Sequence, residues 1–209
     1  MNKTATARAR LRSRASRYRL FALLSMAALA AVAACTQSDW RELAVSDAGF
    51  RVLMRGEAHY VRQDLDTPAG KMSAHLYSSD RPDSYFAVGY SDYPLALIVG
   101  ARPEQVFAGV RDTWVRRIEG KLISSDRELS LAGKYPGMEF IAEGKTKGAD
   151  TFVQARLYLV EQRLFQVIAM GRKNEVPQGT VNRYLNSFEL IPVTETATLQ
   201  VGPSPRNKP

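Results

Sequence analysis

Two carboxylates, Glu139 and Glu143, are the side chains whose type and spacing come closest to acid/base chemistry. Side chains at even spacing on a strand project from one face, so these two could serve together as a proton donor and a proton acceptor. The same spacing describes an outward polar face that alternates with the apolar residues Met138, Phe140 and Ala142. The polar face explains the pattern better, and a pair of acid/base carboxylates is the alternative.

The chain contains two histidines, His59 and His75, which fall on the two arms of one predicted hairpin. If Asp66 pairs with Lys71, His75 lies opposite Arg62 rather than opposite His59. Protein zinc sites use three or four His, Cys or carboxylate ligands. We therefore expect both histidines to be solvated strand residues, and we expect neither a metal nor another cofactor.

Ser91 stands beside Asp92 and is the residue that most resembles a candidate nucleophile. A serine nucleophile needs an adjacent base, and no histidine is positioned by the sequence to activate this one. A serine elbow, a phosphate-binding glycine loop and an HExxH helix are all missing from the sequence. We expect Ser91 to cap a turn, and the chain as a whole does not read as an enzyme.

An aromatic group offers a binding chemistry instead: Tyr85, Phe86, Tyr90 and Tyr93 lie close together in one predicted strand. Tyrosines on the outer side of a strand can stack on sugars or form the centre of a protein interface. Tyr85 and Tyr93 are our candidate binding surface, and core packing is the competing interpretation. A basic loop tip at residues 145–148 is expected to be a solvated hairpin turn.

Cys35 is the only cysteine, and it follows a basic leader and the apolar run 20–34. That run would span roughly 22 Å as a helix, which is short for a bilayer core about 30 Å thick. A basic segment, a short apolar segment and small residues before the cut describe a secretory signal peptide. The sequence Val32-Ala33-Ala34-Cys35 resembles the lipobox of bacterial lipoproteins.

The lipobox resemblance implies cleavage between Ala34 and Cys35, a diacylglyceryl thioether on Cys35 and fatty acylation of the new N-terminus. It places the protein in the bacterial cell envelope, anchored by lipid. Thr36 follows the cysteine, whereas retention in the inner membrane of familiar diderm bacteria uses Asp there. In such a host we therefore expect the outer membrane, with the domain facing the periplasm.

The basic character of the chain belongs to its leader. The formal net charge is +8, but seven of the 29 basic residues precede residue 20, so a processed chain carries about +1. Nucleic-acid binding needs a basic patch in the folded part, and we expect none. A single cysteine also excludes an internal disulfide, so the stability of the fold depends on its hydrophobic core. We expect the protein to be a monomer.

The chain divides into a signal peptide (1–34), a tether (35–47), a domain (48–191) and a disordered tail (192–209). Strand and helix patterns follow the order β-β-β-β-α-β-β-β-β-α-β. This order predicts an α+β domain with a mainly antiparallel sheet of about seven to nine strands, one central helix and one C-terminal helix. The central helix should begin at Pro103 and stop at Gly120, with Trp114 buried in its apolar stripe. The second helix should begin near Pro177.

Several strand and loop motifs resemble those of PsbP/Mog-like domains, over roughly residues 48–191. They are Gly49-Phe50, Thr67-Pro68-Ala69-Gly70, Tyr90-Ser91-Asp92-Tyr93-Pro94, Tyr135-Pro136-Gly137, Arg156-Leu157-Tyr158 and Ser187-Phe188-Glu189-Leu190. The resemblance implies the α+β fold and a binding or assembly role, and it carries over no site residue. Two hypotheses follow: a lipid-anchored envelope module that binds a partner, and an envelope hydrolase that uses the paired carboxylates.

Overall fold

Eleven strands and three α-helices make up the part of the chain that the structure, a computed structural model, describes: residues 39–67, 70–124 and 126–192. In chain order they are β1 (Trp40–Val45), β2 (Phe50–Arg55), β3 (His59–Thr67), β4 (Gly70–Asp80), β5 (Ser84–Asp92), α1 (Leu95–Ile98), α2 (Pro103–Arg117), β6 (Lys121–Leu122), β7 (Arg127–Leu131), β8 (Tyr135–Thr146), β9 (Ala149–Val160), β10 (Arg163–Arg172), α3 (Gln178–Asn186) and β11 (Glu189–Leu190).

Eight of these strands form one antiparallel sheet in the order β3-β4-β5-β10-β9-β8-β6, with β7 also paired to β8. The predicted α+β class, the antiparallel sheet and its size are confirmed. The predicted hairpin register is confirmed as well, since Asp66 lies opposite Lys71 and His75 lies opposite Arg62. A Pro-containing turn and a strict two-residue alternation are local signals, which is why the sequence is sufficient to set this register.

A second, three-stranded sheet of β1, β2 and β11 packs on one face of the large sheet. The alternation of Phe50, Val52 and Met54 in the sequence predicts that they share one face of β2, and all three are buried. We call this side of the large sheet the small-sheet face. Helix α3 completes it with Val181, Tyr184 and Leu185, whose helical spacing in the sequence predicts one apolar face.

The opposite side, which we call the helix face, is covered by α2. The hairpin of β9 and β10 lies between the two layers and is buried on both sides. Leu164 and Ile168 join Val153 and Leu157 on the helix face, whereas Phe165 and Val167 face the small sheet. The sequence of β10 allows either Phe165 and Val167 or Leu164 and Ile168 to face inward, and the structure buries both sets, one in each core.

Helix α2 begins at Pro103 as predicted, but its end differs from the prediction. The chain leaves the helix at Glu119, which adopts a left-handed conformation with φ of 47°. Gly120 instead permits a close approach between backbones, because a β-carbon there would collide with the Glu143 carbonyl of β8. This close approach anchors the end of α2 to the sheet, and the Lys145 amide donates to the Ile118 carbonyl at 2.6 Å.

The predicted tether of residues 35–47 is too long. Trp40–Val45 forms β1, paired with β2 from Trp40 opposite Arg55 to Val45 opposite Phe50. The ring of Trp40 packs 5.7 Å from that of Phe86, between centroids. The folded domain thus includes residues that we assigned to the tether, because Trp40 and Leu43 bury their apolar surface on the small-sheet face.

The signal peptide, Ala34 and Cys35 of its cleavage and lipidation site, and the tail after Pro192 lie outside the described residues. Their predictions stay predictions. Within the described part, none of the helices is both long and apolar enough to cross a bilayer.

Candidate binding surface

The two residues of the candidate surface, Tyr85 and Tyr93, lie on the same side of the molecule. Tyr85 lies opposite Met170, which packs on the helix-face core, and Tyr93 packs on that core too. They sit at the two ends of β5, roughly 26 Å apart along the strand. Phe86 and Tyr90 instead belong to the small-sheet core, so strand alternation divides the aromatic group into a core pair and a surface pair.

Trp114 of α2 stands between the two tyrosines. The prediction that it is buried was wrong: it is half-buried, because α2 leaves part of its apolar stripe at the edge of the helix-face core. Its indole N–H donates to the Gln166 side-chain oxygen at 3.2 Å. The Arg117 guanidinium lies 5.2 Å from the ring centroid, within the range of a cation–π contact. Trp114 is therefore fixed in place and still partly accessible.

A pocket of about 560 Å³ opens on one side of Trp114, next to Tyr85. Its charged lining residues are four basic ones and two acidic ones: Arg81, Arg117, Lys147, Arg172, Asp80 and Asp83. Burial opposes ionisation of Asp83, but hydrogen bonds from Ser84 and the backbone, with the charge of Arg55, lower its pKa overall. The pocket therefore carries a positive excess at neutral pH.

A second pocket, of about 410 Å³, opens on the other side of Trp114 next to Tyr93. Its walls are mainly apolar and come from α1, α2, β10 and Tyr93 itself, with Leu97, Val106 and Val110 among the apolar residues. Burial raises the pKa of the Tyr93 hydroxyl, so this residue stays neutral in the physiological range. Gly109 of α2 leaves one wall open, since a β-carbon there would have no neighbour within 4 Å.

Apolar exposure continues beside the second pocket. Leu95, Leu97 and Val99 follow Tyr93 in the chain and are 58%, 38% and 70% exposed. Clustered aliphatic side chains of this kind mark interaction sites more often than single exposed residues do.

The two carboxylates of the predicted pair, Glu139 and Glu143, form separate ion pairs. Glu139 was predicted to face solvent, and this was wrong: it is buried and accepts hydrogen bonds from Arg127 and Arg156, each at 2.7 Å. Burial alone would raise the pKa of Glu139, but the two guanidinium groups outweigh it and the pKa is lowered. Glu143 accepts a 2.6 Å bond from Lys173. A general acid needs a raised pKa, and Glu139 has the reverse.

The histidines lie on opposite faces of their hairpin, as the register requires. His59 is exposed. His75 stacks on Tyr90 with centroids 4.4 Å apart, and its Nδ1 lies 2.8 Å from the Tyr60 hydroxyl. Burial, followed by the charge of Arg62, lowers the pKa of His75. Among the residues described, no group of three His, Cys, Asp or Glu side chains is arranged to hold a metal ion.

Ser91 is not a turn cap, contrary to the prediction. It lies within β5, buried on the helix face between Ala74 and Leu164 of the neighbouring strands. Its neighbour His75 points to the other face, because it is paired with Tyr90. The basic loop at residues 145–148 is a hairpin turn as predicted, with left-handed Lys147 and Gly148 at its tip.

Comparison with known proteins adds little to this geometry. No family model matches the chain, and no curated protein matches it. A solved structure of a protein of unknown function from Pseudomonas aeruginosa is 10% identical, covers 66% of this chain and 87% of its own, and has a TM-score of 0.33. The resemblance to PsbP/Mog-like domains stays a prediction.

The sequence identified the two tyrosines but missed the part of the surface that α2 contributes. Trp114 was assigned to the core because it lies on the apolar stripe. Gly109 was the available signal, because a glycine inside an otherwise regular helix costs stability and leaves a gap on the helix surface.

Proposed function

We propose that this protein is a lipid-anchored binding or assembly module of the bacterial cell envelope, with no catalytic role. The observation that carries the proposal is the surface formed by Tyr85, Trp114 and Tyr93, where two pockets flank one half-buried tryptophan. Tryptophan, tyrosine and arginine are enriched among the few residues that carry most of the binding energy in protein interfaces, and these residues cluster in well-packed pockets. The separate ion pairs of Glu139 and Glu143 do not support the hydrolase alternative.

The chemistry of the two pockets suggests a protein partner. The pocket at Tyr85 has a positive excess, and the pocket at Tyr93 is apolar. A segment that presents an acidic side chain to the first pocket and an aliphatic one to the second would complement both. Arg117, stacked on Trp114, could meet the acidic group and the indole could contact the aliphatic one.

The direction in which the chain enters the domain fits an anchored module. Trp40 packs on the small-sheet face, where Arg183 covers its ring at 5.1 Å. Cys35 precedes Trp40 by five residues in the sequence. The binding surface occupies the opposite, helix face. An anchor at Cys35 would confine the domain near a periplasmic partner and raise the effective concentration of its binding surface there.

Loss of Cys35 tests the anchor. We expect Cys35→Ala to abolish incorporation of a labelled fatty acid, and to release the protein from the membrane or leave it as an uncleaved precursor. Two or more acyl chains are needed for durable attachment, at about 0.8 kcal/mol per buried CH₂. Membrane fractions after metabolic labelling give the readout. A wild-type protein that takes up no label would disprove the lipid anchor.

Filling the second pocket tests the binding surface without damaging the fold. We expect Gly109→Leu to reduce partner capture at least about tenfold, because the new side chain occupies the space beside Trp114. Replacing a helical glycine should leave the free energy of unfolding unchanged or raise it by up to about 1 kcal/mol. The measurement is cross-linking capture from native membranes, quantified by mass spectrometry, together with urea denaturation.

Gly179→Leu is the matched control. Gly179 also lies in a helix and has no neighbour within 4 Å of a built β-carbon, but α3 packs on the small-sheet face. This variant should capture the partner normally. If both variants capture equally well, the partner binds elsewhere. If Glu143→Ala instead abolishes function while Gly109→Leu preserves it, the hydrolase becomes the better hypothesis.

A further inference from the structure

Strand β3 forms an edge of the large sheet that no other described strand covers. It pairs with β4 without interruption from His59 to Thr67, so it carries no bulge. It also contains neither Lys nor Pro, and its charged residues, Arg62, Asp64 and Asp66, carry both signs, so they can pair with a second strand as well as oppose one. The opposite edge is different, because two short strands, Lys121–Leu122 and Arg127–Leu131, share it. Of the two edges of the large sheet, only the β3 edge presents a long, regular row of backbone groups in the described part.

The sequence of β3 is complementary to itself when it is reversed about Gln63. In an antiparallel pair centred there, Arg62 of one copy lies opposite Asp64 of the other, and Val61 lies opposite Leu65. Each of these pairs occurs twice because of the symmetry. Opposite charges and apolar residues placed directly across from each other stabilise neighbouring strands.

These side chains are accessible in a single copy. Tyr60 and Val61 are 50% and 55% exposed, and the side chains of Arg62 and Asp64 are 56% and 68% exposed. Arg62 already contacts Asp64 of its own strand at 3.1 Å, and the Ser73 hydroxyl donates to the same carboxylate at 2.7 Å. The charged groups are thus held at the edge, where a second strand would meet them.

We propose that two copies of this protein pair antiparallel along β3 about Gln63, which joins their large sheets into one. The occupant of the edge is a second copy because the charge pattern complements its own reverse. The proposal goes beyond the binding function of the helix face and replaces the monomer expected from the sequence.

The symmetry of this pair suits a protein that is attached to one membrane. A two-fold axis that relates antiparallel neighbours within a sheet is perpendicular to that sheet, so each face of one copy continues as the same face of the other. Both Trp40 residues would lie on one side, and both surfaces around Trp114 would lie on the other. Two anchors could then enter the same bilayer without hiding the binding surfaces.

Charge reversal with mixing tests the pairing. Arg62→Asp places Asp opposite Asp64 of the second copy, and Asp64→Arg places Arg opposite Arg62. Each variant alone should dimerise at least about tenfold more weakly than the wild type. An equimolar mixture should form a heterodimer, because both opposing pairs become attractive again. Mixing does not restore the Arg62–Asp64 contact within either copy. Recovery of the dimer on mixing therefore reports pairing between copies.

The mass of the full-length protein is measured by sedimentation equilibrium in density-matched detergent. Arg51→Glu is the control, since it reverses a charge in an exposed ion pair with Glu189, far from β3 in the small sheet. It should dimerise like the wild type. A wild-type protein that stays monomeric throughout the measurable concentration range, or a mixture that stays monomeric, would overturn the proposal.

Disulfide trapping gives an independent measurement on the membrane-bound protein. Gln63→Cys brings two thiols opposite each other on the two-fold axis, and mild oxidation should cross-link most of the protein into dimers. Ser130→Cys, exposed on β7 at the other edge, should cross-link no more than the wild type with Cys35 alone. If Gln63→Cys cross-links at that background level, or mainly to a different protein, β3 does not pair with a second copy.

Discussion

Replacing Phe50 by alanine is expected to lower the free energy of unfolding by about 3–5 kcal/mol, enough to unfold much of a marginally stable domain. Phe50 is fully buried. Its ring lies 5.8 to 6.2 Å from the rings of Tyr77, Tyr90, Phe165 and Phe188, between centroids. The substitution would leave a cavity where the small sheet joins the large sheet. Urea denaturation of the full chain, followed by fluorescence, measures the loss.

An exposed aromatic residue provides the comparison for Phe50. Tyr60→Ala removes a ring that is half-exposed at the edge of the large sheet, and it should cost less than about 1 kcal/mol. Equal effects of the two substitutions, or a loss below about 1 kcal/mol for Phe50→Ala, would show that the small sheet contributes little to the stability of the domain.

Glu139→Ala is expected to cost about 3 kcal/mol or more, because it leaves Arg156 buried without its carboxylate. The side chains of Glu139 and Arg156 are only 8% and 14% exposed. Arg156 would keep its hydrogen bond to the Leu185 carbonyl, which does not neutralise its charge. Glu143→Ala is the control at the same strand face: its pair with Lys173 is more exposed and should contribute less than about 1 kcal/mol.

The same carboxylate should make stability depend on pH. The pKa of Glu139 is lowered from its usual 4.5 in the folded protein, so the unfolded chain binds the proton more readily. The stabilisation is therefore present above pH 4.5 and is lost as the pH falls through the folded pKa. The difference in unfolding free energy between wild type and Glu139→Ala should shrink below pH 4.5. A difference that grows on acidification would contradict the assignment.

Local patterns of the sequence were enough for much of the fold. The β3–β4 register follows from a short turn and the alternation on both arms, and the stripe of α3 follows from helical spacing within nine residues. The common face of Tyr85 and Tyr93 could also be predicted from the sequence, since the two tyrosines have even spacing. Each of these features depends on neighbours close in the chain.

Other features depend on which distant segment covers a given face. Both faces of β9 and β10 carry apolar residues, so the sequence does not show which face is buried. Both faces are buried, because α2 covers one and the small sheet covers the other. The predicted tether was too long for the same reason. Trp40–Val45 forms β1, which pairs with β2 and packs on the Phe86 ring through Trp40.

The positions of most strands, the starts of α2 and α3, the hairpin register and the common face of Tyr85 and Tyr93 could thus be predicted from the amino-acid order, because periodicity and turns act over a few residues. The burial of Glu139 between Arg127 and Arg156, and the half-exposed position of Trp114 between two pockets, emerge only when the chain is folded. Burial is not a property of a strand or helix alone. It depends on whether segments far away in the chain cover that face, as α3 does beside Arg156.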